Sequence, residues 1–116
     1  MSQWIESHRG LVFPWNCDNY GHMNVRFFVE HFDDSSFHSW NALGLSRNLM
    51  TDAGVEAVTA RNTVKFYQEL SAGDLFTIKC AMTRVGNKSV TMSHRMESSV
   101  TGELCATMDT VEVIFD

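Results

Sequence analysis

The stretch with the most chemical promise is Cys17-Asp18-Asn19-Tyr20-Gly21-His22-Met23-Asn24, just ahead of a segment whose apolar residues recur at helical spacing from Val25 onward. Asp18 is a carboxylate that can act as a nucleophile or a general base. A carboxylate in a loop before a helix lies near the positive end of the macrodipole, which keeps it ionised. Asn24 is a good N-cap, and its side chain would occupy an amide one or two residues into the first turn. The Val25 N–H would then be free to donate to a developing oxyanion. Gly21 would let the loop fold back so that Asp18 and the helix end face one carbonyl. His22 and Asn24 would orient that loop more than perform chemistry, and Tyr20 would offer it an aromatic surface. An aspartate before a helix is ordinarily a turn or cap residue, so residue type and position alone leave both readings open. Cys17 has no histidine paired with it and reads as a small packed residue.

Other candidates carry less. His31 and His38 are seven apart on one helix side, but no carboxylate or cysteine pattern completes a metal site. His94 falls on an apolar strand face and reads as a core histidine. Cys17, Cys80 and Cys105 fit no metal spacing, and three free thiols suit a reducing cytoplasm. No metal is expected.

These residues must be positioned by a small domain. The 116 residues allow one two-layer core, here taken as a single domain over residues 1–116. Hydrophobic residues make up 44% and charged residues 20%, an ordinary soluble mix. A net charge of −5 argues against a nucleic-acid or anionic-membrane surface. The opening MSQWIESHRG does not read as a signal peptide, and no run approaches the roughly 18 apolar residues of a membrane span. A soluble, cytoplasmic protein is expected.

The firmest element is a helix from about Val25 to Leu43. Val25, Phe28, Val29, Phe32, Ser36, Trp40 and Leu43 form its expected inner stripe, and Gly44 stands at the helix end. Phe27 falls opposite that stripe and would need a partner outside the domain's own core. After Gly54 the period changes to two, giving strands over 58–68, 76–83, 89–96 and 104–115, with an earlier one near 8–13 before Pro14. Short turn-like segments at Ser71–Asp74, Gly86–Lys88 and Thr101–Glu103 make the strands antiparallel neighbours. In the last strand, Leu104, Ala106 and Met108 share one parity while Val111, Val113 and Phe115 share the other, which predicts a bulge or a sharp bend near Asp109. The order β-α-β-β-β-β describes an α+β layer pair, one helix wrapped by a five-stranded antiparallel sheet.

The loop then takes on a wider meaning. Asp18 to Asn24 follows the pattern Asp-x-x-Gly-His-x-Asn leading into a helix. Phe66 to Asp74 ends in Gly-Asp, and Arg84-Val85-Gly86-Asn87-Lys88-Ser89 forms a third turn. Together these resemble the hotdog-fold acyl-CoA thioesterases of the 4-hydroxybenzoyl-CoA thioesterase-like family, over about residues 11–116. The resemblance implies hydrolysis of an acyl-CoA thioester without a cofactor, with Asp18 as nucleophile or base. It also places the oxyanion amide seven residues after the aspartate, at Val25. Many relatives carry a tyrosine where Phe28 stands, so a hydroxyl is absent there.

CoA would bring phosphates. Arg84 and Lys88 flank the Gly86 turn and are the candidates to meet them, while Arg61, Lys65 and Arg95 sit on polar strand faces where charges usually face solvent. Two rival functions remain at this point: a hotdog enoyl-CoA hydratase or dehydratase, and a non-catalytic acyl-CoA-binding module. Against the first, Gly21 stands where such enzymes place a proline. The resemblance further implies a homodimer or a dimer of dimers, with sheets paired edge to edge and the active site between subunits.

Overall fold

The computed structural model describes residues 3–116. Its elements are β1 (Ile5–Leu11), a single 3-10 turn (Pro14–Asn16), α1 (Val25–Ala42), α2 (Arg47–Asp52), β2 (Glu56–Phe66), β3 (Leu75–Val85), β4 (Ser89–Ser98) and β5 (Leu104–Phe115). The five strands form one antiparallel sheet in the order β1-β3-β4-β5-β2. One long helix lies across one sheet face, as the hotdog arrangement requires. The expected α+β class and five-stranded sheet hold.

The boundaries of α1 follow from its ends. Asn24 Oδ1 accepts from Arg26 N at 3.0 Å, which satisfies one of the orphan amides of the first turn. At the other end Leu45 N donates to the Trp40 carbonyl at 2.9 Å and Gly44 N to that of Asn41 at 3.0 Å, the paired bonds of a Schellman ending. Inside, Phe28 and Phe32 are buried among Phe76, Ile78, Met96, Ala106 and Met108. Burying a side chain of that size is worth about 1.5–3 kcal/mol. Gly10 on β1 belongs to the same packing, because a Cβ there would run into the tip of the Phe76 ring.

Three expectations need correction. First, the buried line of α1 is Phe28, Phe32, Ser35 and Ser39, rotated from the expected stripe. Val25 is exposed, and Val29, Ser36, Trp40 and Leu43 form only a half-buried flank. The cause is that α1 packs against β1 and β3, and small serines let the backbones approach. Their hydroxyls are accounted for: Ser39 Oγ donates to the Ser35 carbonyl at 2.8 Å and Ser35 Oγ meets Ser7 Oγ at 2.6 Å. The same rotation brings Phe27 against the core instead of away from it; the exposed aromatic of this helix is Phe37.

Second, β5 keeps one phase from Ala106 to Glu112. Ala106, Met108, Thr110 and Glu112 are all buried, and the irregularity opposite β4 falls at Cys105, between the Met96–Ala106 and Glu97–Leu104 pairs, not at Asp109. Val111, Val113 and Phe115 therefore lie on the other face, so the apolar parity at the strand end marks the outer side.

Third, the short helix α2 was not expected. Ser46 caps it by accepting from Leu49 N at 3.2 Å, and none of its residues is buried. With no apolar face to bury, six residues leave no periodic trace. Among the described residues no helix is long and apolar enough to cross a membrane.

Candidate active site

The loop from Phe13 to Asn24 is a small closed structure. Buried Asn16 anchors its base: its Oδ1 accepts from Phe13 N and its carbonyl from Asn24 N, both at 2.9 Å. Cys17 and Met23 pair as an antiparallel bridge, and Asp18 N donates to the His22 carbonyl at 2.9 Å. Asp18 to Gly21 then makes a tight turn, closed by Gly21 N to the Asp18 carbonyl at 3.0 Å. Gly21 has φ +82°, a value that a side chain would oppose.

Within this turn the Asp18 carboxylate has two unlike oxygens. Oδ1 accepts from Tyr20 N at 2.8 Å and from His22 N at 3.4 Å. Oδ2 accepts no hydrogen bond from the described residues. The side chain is held in one orientation by its own turn, with the second oxygen left for other work. Val25 N–H, the first amide of α1, likewise donates to no protein acceptor among the described residues, because the Asn24 side chain serves Arg26 instead.

The loop is braced from far along the chain. Met23 N donates to the Leu70 carbonyl at 2.7 Å, and His22 pairs with Ser71. Asp74 completes the brace: its Oδ2 accepts from Ser71 N at 2.8 Å and its carbonyl from Val12 N at 2.9 Å. The structure thus joins the Asp18–Asn24 and Phe66–Asp74 motifs. His22 Nδ1 lies 3.1 Å from Glu69 Oε2, which ties it to that brace. Phe13 and Trp15 stack at 4.6 Å between centroids, and Trp15 and Tyr20 are highly exposed. Cys17 is half-buried against the core, with its thiol directed at the Phe13 carbonyl 3.7 Å away.

Arg84 and Lys88 are not part of this cluster within one chain. They flank the β3–β4 turn, at the end of β3 remote from Leu75 and the Asp18 loop, beside the C-terminus of β5, where Ile114 N meets the Lys88 carbonyl. Arg61 and Lys65 are exposed on β2. Arg95 is engaged elsewhere, over the Trp4 ring at 5.5 Å and 3.3 Å from Glu97 Oε2.

The histidines sort by burial. His94 is fully buried, with Nδ1 3.4 Å from Ser35 Oγ, and burial pushes its pKa down to about 4. Its Nε2 has no partner among the described residues. His8 of β1 joins the helix pair: its Nε2 lies 3.0 Å from His31 Nδ1 and its ring stacks on His38. Burial lowers the pKa of both His8 and His31. Among the described residues no three His, Cys, Asp or Glu side chains are grouped to hold a metal.

One feature escaped the sequence reading. Glu112, 5% exposed, accepts from Thr59 Oγ1 at 2.8 Å and lines a cavity at the C-terminal end of α1. Its signal was the even parity that runs from Ala106 through Met108 and Thr110, which two polar residues disguised.

With this geometry in place, comparison with known proteins is direct. A model of the thioesterase-like superfamily matches residues 12–116. The chain belongs to the thioesterase-like superfamily. Among curated proteins, none matches. Several solved structures share the fold. A hypothetical protein from Staphylococcus aureus, solved in complex with CoA, has a TM-score of 0.84 at 20% identity, covering 99% of this chain and 72% of that one. A 1,4-dihydroxy-2-naphthoyl-CoA thioesterase from Synechocystis has a TM-score of 0.81 at 13% identity, covering 97% and 82%. A probable thioesterase from Bartonella henselae has a TM-score of 0.83 at 14% identity, covering 98% and 93%. At these identities the likeness establishes the hotdog fold for this superfamily member, and the residues must carry the chemistry.

Proposed function

We propose that this thioesterase-like protein hydrolyses an acyl-CoA thioester to a free acid and CoA, with Asp18 as nucleophile or general base and the Val25 amide as oxyanion donor. The observation that carries the reading is the division of labour in the Asp18 carboxylate. Two turn amides hold Oδ1, while Oδ2 has no donor among the described residues. Oδ2 either adds to the thioester carbonyl carbon or takes a proton from a water that does so. The carbonyl oxygen gains charge as the new bond forms, and the Val25 N–H at the positive end of α1 stabilises it. The C–S bond then breaks and CoA leaves as the thiol after protonation. In the nucleophilic route a water next cleaves the acyl–Asp18 anhydride, and by either route the acid is released with Asp18 regenerated. Such a route calls for no metal or cofactor.

The site is completed by a second copy. β2 is an edge strand of 11 residues with Val58 and Phe66 exposed, and a long open edge of this kind is normally paired or covered. Antiparallel pairing of two β2 strands gives a homodimer and carries one copy's Arg84 and Lys88 towards the other's Asp18 loop, where CoA phosphates need cations. The three free cysteines suit work in the cytoplasm.

Thiol release from a panel of acyl-CoAs, measured for wild type and Asp18→Asn, tests the catalytic reading. Release by the wild type and its loss in a folded variant are expected; equal release by both removes Asp18 from the mechanism. A sedimentation mass of at least twice the 13.2 kDa chain is expected at micromolar concentration, and a monomer mass contradicts the paired edge.

A further inference from the structure

The cavity beside Glu112 has no part in the chemistry above. It measures about 700 Å³ and lies between the C-terminal half of α1, α2, the start of β2 and β5, with Phe37, Trp40, Met50 and Val58 on its walls. A hollow of that size and lining suits a small organic group. Glu112 is its unusual member. Among the described residues its carboxylate has one hydrogen bond, from Thr59 Oγ1 to Oε1. A carboxylate offers about four acceptor positions. Glu112 Oε2 is not sealed off and stays open to the cavity, where an occupant with no donor would cut it off from water at a cost. Arg47 lines the same cavity but makes no ion pair with Glu112. Asp33 and Glu56 add two further carboxylates, so three acidic side chains face one basic one.

We propose that this cavity takes the far end of the acyl group, and that Glu112, held by Thr59, selects acyl groups ending in a hydrogen-bond donor, a hydroxyl or an ammonium. A methyl end would leave the carboxylate unsatisfied. A carboxylate end would meet like charges.

The proposal rests on the thioesterase reading and on the paired β2 edges. Within one chain the cavity is too far from Asp18. Thr59, which holds Glu112 at the cavity, is seven residues along β2 from Phe66, whose ring meets Phe28 in the first turn of α1. At extended spacing that is roughly 23 Å, longer than a benzoyl or an octanoyl group. In a two-fold antiparallel pair the Glu56 end of one strand lies beside the Phe66 end of the other. Each Asp18 is then served by its partner's cavity.

The test compares matched substrates by kcat/KM: the CoA thioesters of 4-(hydroxymethyl)benzoate, 4-(aminomethyl)benzoate, 4-methylbenzoate and terephthalate, together with 8-hydroxyoctanoyl-CoA and octanoyl-CoA. The readout is the ratio of donor-ended to methyl-ended substrate, which cancels losses common to both. In the wild type at least one donor-ended substrate should lead its methyl-ended match by about tenfold or more, with the terephthalate thioester the poorest. Glu112→Met should bring the ratio near one. Glu112→Gln, which keeps shape and an acceptor, should retain a hydroxyl preference but lose an ammonium preference, and so distinguishes the two donors. A wild-type ratio near one, or a preference that Glu112→Met leaves in place, overturns the inference while the thioesterase reading stands. If no substrate releases thiol, the thioesterase reading fails. The cavity is then read directly through Trp40 fluorescence with hexan-1-ol and hexylamine. A response in the wild type that both Trp40→Phe and Glu112→Met abolish supports the donor site, and no response overturns it.

Discussion

The two halves of α1 rest on different ground. Its first turns press Phe28 and Phe32 into an apolar cluster, and the loop that feeds them is braced through Leu70, Ser71 and Asp74. Its later turns present Ser35 and Ser39 to a sheet face that carries His94, Thr110 and Glu112, all buried, and beyond them lies a cavity. The rigid end holds the carboxylate proposed for bond breaking, where geometry must be kept to a fraction of an ångström. The polar, hollow end leaves buried groups short of partners, which is how a site expresses preference among ligands.

The largest expected effect sharpens that contrast at the rigid end. Asp18→Asn keeps the turn's shape but removes the charge, so kcat should fall by roughly 10²–10⁴ with KM little changed. Were Asp18 only a turn residue, steady-state kinetics would show near-normal kcat and a stability loss of about 1 kcal/mol or less. Next come the packing variants. Phe32→Ala should cost about 3–5 kcal/mol in denaturant unfolding, whereas Phe37→Ala, at an exposed position of the hollow end, should stay within about 0.5 kcal/mol. Equal losses would dissolve the distinction between the two halves.

The polar half should announce itself through pH. Burial holds the His94 pKa near 4 in the folded chain, below the ordinary value of 6.5. A depressed histidine pKa means that the unfolded chain takes up the proton first. The contribution is therefore fully present above pH about 6.5 and is lost as pH falls towards 4, by on the order of 3 kcal/mol. His8 and His31, also lowered by burial, act in the same direction. Unfolding free energies measured between pH 7 and pH 4 should show this slope, and His94→Gln should flatten it; an unchanged slope would remove His94 as its source. The cap should have a smaller effect than His94: Asn24→Ala should cost about 1 kcal/mol in the same assay.

What could be read from the sequence had short-range causes. The helix ends depend on Asn24 and Gly44, within a few residues of the turns they close, and the strands on a strict two-residue alternation. The Asp18 turn is held by Tyr20, Gly21 and His22, no more than four positions away. A motif of eight residues therefore determined its own shape and the free Val25 amide. Tertiary structure decided the rest. Periodicity names the faces of α1 but not the angle at which the helix meets the sheet, and serines small enough for close approach turned that angle towards β1 and β3. Alternation likewise names two faces of β5 but cannot tell that a glutamate lies on the inner one, because its partner, Thr59, is 53 residues away. A buried polar group is stable only where a distant segment supplies its hydrogen bond, and that supply exists only once the chain has folded.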